Sequence, residues 1–183
     1  MGCDVEYLPL GDIVSFESGG TPSKNNERYW NGNIPWISAK TLVGDRIGTS
    51  NLKITCEGLA AGSRIAPKGS ILLLTRGSGL FKRIPLAIAS RDIAYNQDIK
   101  CLQSKREDIS NEYIFYALKS QEEAIGSQLE TTGIGAGKLS TDLLRQLPIP
   151  VLDRFARNIV VRICESIDRK IELNNRTNDY LAA

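Results

Sequence analysis

The run Ser70-Ile71-Leu72-Leu73-Leu74-Thr75 decides the fold, because four consecutive large apolar residues between two hydroxyl residues are typical of a buried strand. Three shorter apolar segments, residues 34–37, 86–89 and 99–102, are also strand-like, and residues 8–18 resemble an opening turn with a short strand. The proline in the 34–37 segment favours an edge position or a strand start. These pieces and their irregular connections predict a mixed sheet.

Helices are predicted mainly in the second half of the chain. Ser110 is a good N-cap for a helix that runs to about Gly126, and Ser140 can cap a second, short helix. Residues 148–151 (Pro-Ile-Pro-Val) interrupt the helical pattern and are expected to be extended. The predicted fold class is therefore α+β, an irregular, β-rich globular domain with short helices.

A single long helix is predicted over residues 153–183, where no glycine or proline occurs. Apolar or core-type residues recur in it at alternating spacings of four and three, which is a coiled-coil heptad pattern. The residues of this predicted pairing seam are Val160, Cys164, Ile167, Ile171, Asn174, Asn178 and Leu181. The two asparagines would set register and partner choice. The alternative is an amphipathic helix that folds back on its own domain. We place the globular domain at residues 1–150 and the spacer helix at 151–183.

The charge distribution is uneven. The 183 residues carry a net charge of only +2, yet residues 60–105 contain eight basic and two acidic side chains. A local basic region on a near-neutral chain fits a surface that contacts phosphates. The alternative is a solvated surface with no ligand.

Several kinds of chemistry are disfavoured. The chain has no histidine, and its four cysteines (Cys3, Cys56, Cys101 and Cys164) do not form the close pairs of a zinc site. The glycine-rich segment 133–138 lacks the first glycine and the final Ser or Thr of a phosphate-binding loop. We therefore expect no catalytic residues and no metal. No secretion signal or membrane-length apolar run is recognised, so a reducing, cytoplasmic setting is expected.

Short motifs spread along the chain resemble the specificity subunits of prokaryotic type I restriction–modification enzymes, a host-defence system. The motifs, in the family's order, are Leu10-Gly11-Asp12-Ile13, Gly20-Thr21-Pro22-Ser23, Tyr29-Trp30, Ile34-Pro35-Trp36-Ile37, Pro67-Lys68-Gly69-Ser70, Arg76-Gly77-Ser78, Asn96-Gln97-Asp98 and Leu147-Pro148-Ile149-Pro150. The Gly-Thr-Pro and Pro-Trp pair is the most specific. At residues 151–155 the chain departs from the Pro-Pro-Leu and Glu-Gln that usually enter the family's helix.

The resemblance implies a target-recognition domain that reads one half of a split site in double-stranded DNA through the major groove. It implies a coiled coil that spaces two such domains, and methyltransferase subunits that methylate adenine with S-adenosylmethionine. A separate restriction and motor subunit would use ATP and Mg²⁺, so no cofactor is expected in this chain. With one domain and one long helix, the chain is either a fragment or a half-subunit. Its helix would then pair with a second recognition domain or a second copy.

The candidate DNA-binding residues are polar or basic side chains on glycine-flanked loops. They are Thr21, Lys24, Asn25, Arg28, Lys40, Lys68, Arg76, Ser78, Lys82, Arg83, Gln97 and Lys138. Arg76 is the best candidate for a guanine contact because a guanidinium donates two hydrogen bonds at once. Lys68, Lys82 and Arg83 fit phosphate contacts better. Asn96 is interpreted as a structural turn residue and Trp36 as a core residue.

Two other functions stay open from the sequence alone. One is a protein-interaction module that docks through its terminal helix without reading DNA. The other is an enzyme with an unusual serine or lysine nucleophile, although no arrangement of base and nucleophile supports this. Steep loss of duplex binding with rising salt separates a DNA reader from an interaction module.

Overall fold

A computed structural model describes residues 5–133 and 135–181. The first half contains β1 (Glu6–Pro9), α1 (Leu10–Ile13), β2 (Val14–Ser18), β3 (Trp30–Ile37), β4 (Arg46–Ile47), β5 (Lys53–Ile54), α2 (Cys56–Gly62), β6 (Arg64–Ala66), β7 (Ile71–Leu74) and β8 (Arg76–Gly77). The second half contains β9 (Leu86–Ala89), β10 (Ile93–Tyr95), β11 (Ile99–Ser104), α3 (Asn111–Ser120), α4 (Glu122–Gly126), β12 (Glu130–Thr131), β13 (Gly137–Lys138), α5 (Thr141–Gln146), β14 (Pro148–Val151) and α6 (Arg154–Leu181). Short 3₁₀ turns occupy Glu27–Tyr29 and Ser78–Phe81.

The largest sheet is built around β7. Its strand order is β2-β11-β7-β9-β4, and β7 pairs antiparallel with β11 on one side and β9 on the other. All four residues of β7 are completely buried. The prediction of a buried strand at this position is confirmed, as is the mixed α+β fold.

A second sheet has the order β5-β3-β10-β6. The prediction that Pro35 marks a strand edge or start is wrong, because β3 begins at Trp30 and lies between β5 and β10. The sheet tolerates the proline because β10 pairs only with Trp36 and Ile37, beyond it. A register shift between Trp30 and Ile34 also loosens the pairing with β5. Trp36 is buried with Ile54 and Ala94 in a small core, which confirms its predicted core role.

The N-terminal part of the domain and the entry to the last helix are joined by a two-stranded sheet. β1 pairs antiparallel with β14 along its whole length. Residues 148–151 are therefore extended, as predicted. A third small sheet, β12-β13-β8, brings part of the glycine-rich segment beside Arg76.

The helix predicted from Ser110 to Gly126 is two helices. Ser110 caps α3 by accepting a hydrogen bond from the Tyr113 amide at 3.2 Å, as predicted. The chain then leaves the helical conformation at Gln121, and α4 begins at the next residue. The predicted apolar face continues from α3 into α4, because Ile114, Leu118 and Ile125 are all buried. α5 is the predicted short helix after Ser140, although the Ser140 side chain makes no cap hydrogen bond there.

α6 contains 28 residues and is about 42 Å long at the usual rise of 1.5 Å per residue. Asp153 caps it by accepting a hydrogen bond from the Ala156 amide at 2.9 Å. The helix follows the prediction up to Leu181, and the last two predicted residues lie outside the described part of the chain, as does Cys3. Among the described residues, no helix combines the length and apolar composition that crossing a bilayer requires.

The structure divides the predicted pairing seam into two parts. Val160 and Cys164 pack against the core of the same domain, so this part of the helix does fold back. Ile167 and Ile171 are 53% and 52% exposed, and the rest of the seam, Asn174, Asn178 and Leu181, is exposed as well. Pairing through this second part stays a prediction.

Candidate nucleic-acid interface

Two tryptophans hold the loop that carries the Gly-Thr-Pro motif. The Trp36 indole donates a hydrogen bond to the Gly20 carbonyl at 3.1 Å, and the Trp30 indole donates to the Ser23 carbonyl at 3.1 Å. The two rings pack edge to face with centroids 5.3 Å apart. The separated sequence motifs therefore form one unit, in which the indoles fix both ends of a four-residue loop.

The glycines of this loop are needed for close backbone approach. A Cβ on Gly19 would lie 2.2 Å from the Tyr95 carbonyl oxygen, and one on Gly20 would lie 1.9 Å from the Gly62 carbonyl oxygen. The Gly20 amide donates to the Tyr95 carbonyl at 2.9 Å. The loop is thus pressed against the end of β10, which places Thr21 beside the turn that follows.

That turn, residues 96–98, joins β10 to β11. The Asn96 amide nitrogen Nδ2 donates to the Asp98 carboxylate at 2.9 Å, and Asn96 Oδ1 accepts from the Asp98 backbone amide at 3.2 Å. Asn96 is buried, which confirms its interpretation as a structural residue. Gln97 is exposed at the tip, and its Oε1 accepts a hydrogen bond of 2.6 Å from the Thr21 hydroxyl.

The loop and the turn form the walls of what we call the tryptophan cleft, lined by Trp30 and Trp36 and by polar residues. Four of the candidate DNA-binding residues line it: Thr21, Lys24, Lys40 and Gln97. The cleft therefore combines apolar walls with neutral hydrogen-bonding groups and two cations.

A second depression, the basic cleft, shares Gln97 and Asp98 with the first. It contains Arg76, Lys100 and Lys138, and Asp142 lines it as well. The two clefts therefore form one continuous surface that contains six of the twelve predicted residues: Thr21, Lys24, Lys40, Arg76, Gln97 and Lys138.

The basic cleft concentrates like charges. Arg76 on β8 lies directly opposite Lys138 on β13, and like charges in this arrangement are destabilising. Glu130 on β12 compensates in part, with its carboxylate 3.6 Å from the Lys138 ammonium. Partial burial and, next, the charges of Arg145 and Arg76 lower the pKa of Lys100. A bound anion would relieve this repulsion between the cations, whereas the carboxylates of Asp98 and Asp142 in the same lining oppose an anion close to them.

Other candidates lie elsewhere. Lys68 precedes β7 whereas Arg76 follows it, so the strand separates them. Next to Lys68, the Gly69 carbonyl accepts a hydrogen bond from the side chain of Asn111 at the start of α3. Arg83 lines a different depression together with Asp45 and Glu122. The remaining four candidates are exposed on the segments that follow β2 and β8, but they line neither cleft: Asn25, Arg28, Ser78 and Lys82.

The basic stretch of the sequence is not one patch. Arg64 lies 3.7 Å from the Glu17 carboxylate, and Lys105 donates to the Gly11 carbonyl at 2.7 Å. Only Arg76 and Lys100 of its eight cations line the basic cleft.

Lys100 was not among the predicted site residues. It lies inside the strand β11, where a lone lysine in an alternating pattern resembles an ordinary solvent-facing residue. Its Nζ donates to the Ser18 hydroxyl on the neighbouring strand β2. Its position two residues after the Asn-Gln-Asp turn is the signal that would have placed it at the site. Among the described residues, no group of three or more acidic or cysteine side chains converges as a metal ion would require.

Comparison with known proteins decides the family. Residues 3–183 match the type I restriction modification DNA specificity domain. The chain belongs to this family. The specificity subunit of the type I restriction enzyme EcoR124I/EcoR124II from Escherichia coli is 32% identical over 191 residues, covering 97% of this chain and 47% of the relative. The MjaIX specificity subunit from Methanocaldococcus jannaschii is 27% identical over 182 residues, covering 97% and 41%.

Solved structures agree on the fold of this specificity domain. A chain from a study of complex assembly and conformational transition of the type I restriction–modification system superimposes with a TM-score of 0.72 at 14% identity, covering 99% of this chain and 42% of that one. The HsdS subunit from Thermoanaerobacter tengcongensis gives a TM-score of 0.68 at 16% identity, covering 97% and 40%. The specificity domain thus spans less than half the length of these relatives.

Proposed function

We propose that this specificity domain reads one half of a split site in double-stranded DNA and performs no reaction itself. The observation that carries the proposal is the continuous surface made by the tryptophan cleft and the basic cleft. It combines neutral side chains that distinguish base edges with three neighbouring cations, Arg76, Lys100 and Lys138. Membership of the specificity family supports the same conclusion.

Phosphate and base contacts have separate places in this proposal. Arg76, Lys100 and Lys138 lie close enough together to contact neighbouring phosphates or, for Arg76, a guanine edge. Gln97, which lines both clefts, carries a neutral amide suited to bases, and the Thr21 hydroxyl donates a hydrogen bond to it. Cations that hold the backbone give affinity, and neutral groups that face base edges give sequence preference.

The proposal extends to partners. Methyltransferase subunits would supply adenine methylation with S-adenosylmethionine, and a restriction and motor subunit would supply cleavage with ATP and Mg²⁺. The exposed part of α6 would pair with the helix of a second recognition domain, on the same subunit or on a second copy. Such an assembly acts on chromosomal and invading DNA, so the cytoplasm is its expected location.

Selection from a pool of randomised duplex DNA tests the proposal. The full chain is used alone and together with a type I methyltransferase subunit, and binding is measured from low to high salt. We expect a short preferred sequence, and an affinity that falls steeply with salt because each phosphate contact releases counterions. If the chain enriches no sequence and its binding does not depend on salt in either form, the proposal is wrong.

The same measurement tests the alternative of a protein-interaction module. Such a module would bind the methyltransferase subunit through α6 while neither form enriched any DNA sequence. Methylation-site mapping in cells that express the assembled complex then identifies the bases that are read.

A further inference from the structure

The tip of the turn between β10 and β11 is held unusually firmly for an exposed loop. The Asn96 backbone amide donates to the Ile37 carbonyl at 2.9 Å. The Asp98 backbone carbonyl accepts from both the backbone amide and the hydroxyl of Thr75, at 2.8 and 3.0 Å. The side chains of Asn96 and Asp98 bond each other. Gln97 is the residue of this turn whose side chain points outward, from a backbone fixed on both sides.

The Gln97 side chain is fixed as well. Its Oε1 accepts the 2.6 Å hydrogen bond from Thr21, which comes from a separate loop. That loop is itself held by the Gly20 amide bond to Tyr95 and by the Trp36 indole bond to the Gly20 carbonyl. A glutamine on a surface normally loses rotamer freedom when it binds a ligand, and this one has lost much of it beforehand.

This bond leaves a defined set of free groups on Gln97. Within the part of the chain that the structure describes, the amide nitrogen keeps both of its hydrogens, and Oε1 keeps its second lone pair. A donor and an acceptor side by side match adenine in the major groove, which presents N7 as an acceptor and N6 as a donor. Guanine presents two acceptors there and cytosine a donor, so neither satisfies both groups.

We infer that Gln97 reads one adenine of the target and that Thr21 is a positioning residue, which orients the Gln97 amide and does not itself contact a base. This inference rests on the proposed function. Its basis is the Thr21–Gln97 hydrogen bond on a rigid turn where the two clefts meet. Because Gln97 lines both clefts, a base at Gln97 would lie near the cations of each.

The test is the base preference at each position of the selected duplex, measured for the wild-type chain and five variants. Gln97→Ala is expected to lose roughly 5- to 150-fold discrimination at a single adenine, the range for a paired amide contact. Thr21→Val, which keeps the side-chain shape, is expected to lose about 2- to 12-fold at that same position, as for one neutral hydrogen bond. Thr21→Ser keeps the hydroxyl and should restore the wild-type preference.

The Gln97→Glu variant should change the base preference in a way that a purely structural role of Gln97 would not. Glutamate can still accept the Thr21 hydrogen bond but has no donor for N7, so the preferred base at that position should change from adenine to cytosine, whose N4 is a donor. Gln103→Ala is the matched control, because Gln103 lies toward the far end of β11. It should leave every position unchanged.

The outcomes separate this inference from the proposed function. If the wild-type chain selects a sequence but the Thr21 and Gln97 variants change no position, the inference is overturned and the DNA-reading function stands. If Thr21→Ser discriminates among bases as poorly as Thr21→Val at the adenine position, Thr21 does not act through its hydroxyl and the positioning role is overturned. If the wild-type chain selects no sequence, both fall. Thermal melting of each variant verifies that it is folded.

Discussion

Arg76 and Lys68 lie at opposite ends of one buried strand, and this separation makes them a matched pair for testing the surface. Both are exposed basic residues from the same charged stretch of sequence, and both were candidates for DNA contact. Arg76 lines the basic cleft, whereas Lys68 lies beside the start of α3. Because the two residues lie at different places in the fold, we expect their substitution by alanine to affect DNA binding differently, although both carry the same charge.

Arg76→Ala is expected to weaken binding to the preferred duplex by about 1–3 kcal/mol and to reduce preference at one base. The reason is the loss of a guanidinium that donates two hydrogen bonds within a cluster of cations. Titration of labelled duplexes that differ by single base pairs measures both effects.

Lys68→Ala is the control and should change the affinity only slightly at physiological salt. Equal losses for the two variants would show that the charges act as a diffuse field and not as a localised contact. A larger loss for Lys68→Ala would place the DNA on the other side of the sheet.

The attachment of α6 depends on one buried cation near its start. Arg157 is only 7% exposed. Its guanidinium donates to the Leu152 carbonyl at 2.7 Å and to the carbonyl and carboxylate of Asp108 at 2.9 and 3.1 Å. Further along, the Tyr116 hydroxyl donates to the Asp168 carboxylate at 2.7 Å, which fixes the helix direction.

Arg157→Met is expected to lower the free energy of unfolding by about 2 kcal/mol, because it removes the hydrogen bonds that a buried charged group donates to the Leu152 and Asp108 carbonyls. Urea unfolding followed by circular dichroism measures the change. Arg154→Met, three residues earlier on the same helix and exposed, is the control and should be nearly neutral. If the two variants are equally stable, Arg157 does not anchor the helix.

Asp108 gives the same junction a pH dependence. The Arg106 guanidinium, which bonds the Asp108 carboxylate at 2.9 and 3.0 Å, lowers the pKa of this carboxyl below its usual 3.8, and Arg157 adds to the effect. When folding lowers the pKa of a carboxyl, its ionised form stabilises the folded protein at pH values above the unfolded-state pKa. This stabilisation is lost as the pH falls through the folded-state pKa.

Asp108→Asn should therefore be less stable than the wild-type chain at pH 7, and the difference should shrink below about pH 4 as the carboxyl takes up its proton. Urea midpoints measured from pH 3 to pH 7 test this. A difference that stays constant with pH would show that the charge of Asp108 contributes nothing.

The molecule as a whole is a compact domain with a helix that extends beyond it. Among the described residues, the contacts of α6 with the domain reach Asp168, and the residues from 169 onward are exposed. Ile171 lies on this extension and Ile167 just before it, with more than half of each side chain exposed. An apolar row on a free helix is what a second helix would cover.

Ile171→Asp is expected to abolish pairing of the chain through this helix, because a partner helix would bury the new carboxylate. Light scattering over a range of concentrations should give a mass above 20.1 kDa for the wild-type chain and 20.1 kDa for the variant. Arg176→Asp introduces the same group about 140° around the helix and should leave pairing intact. A wild-type chain that stays monomeric at every concentration contradicts self-pairing.

The buried strand, the helix capped by Ser110 and the final helix were predictable because the forces that produce them are local, whereas α2 and the two-residue strands were not predicted. The apolar run 70–75, the Ser110 cap and the uninterrupted final helix each bear on residues within a few positions of one another. Six of the twelve candidate residues line the two clefts, since glycine-flanked polar loops are visible in the sequence, and their contact with DNA stays a prediction. The break at Gln121 was missed, because nothing within that stretch of sequence marks it.

The arrangement of the site depends on which distant segments meet. Thr21 and Gln97 are 76 positions apart, and their hydrogen bond exists because a glycine loop packs on the end of β10. Sheet pairing sets Arg76 opposite Lys138 and brings Lys100 beside them. Charge and loop character belong to single residues and can be counted along a chain, whereas adjacency is set by strand order and register, which long-range packing selects.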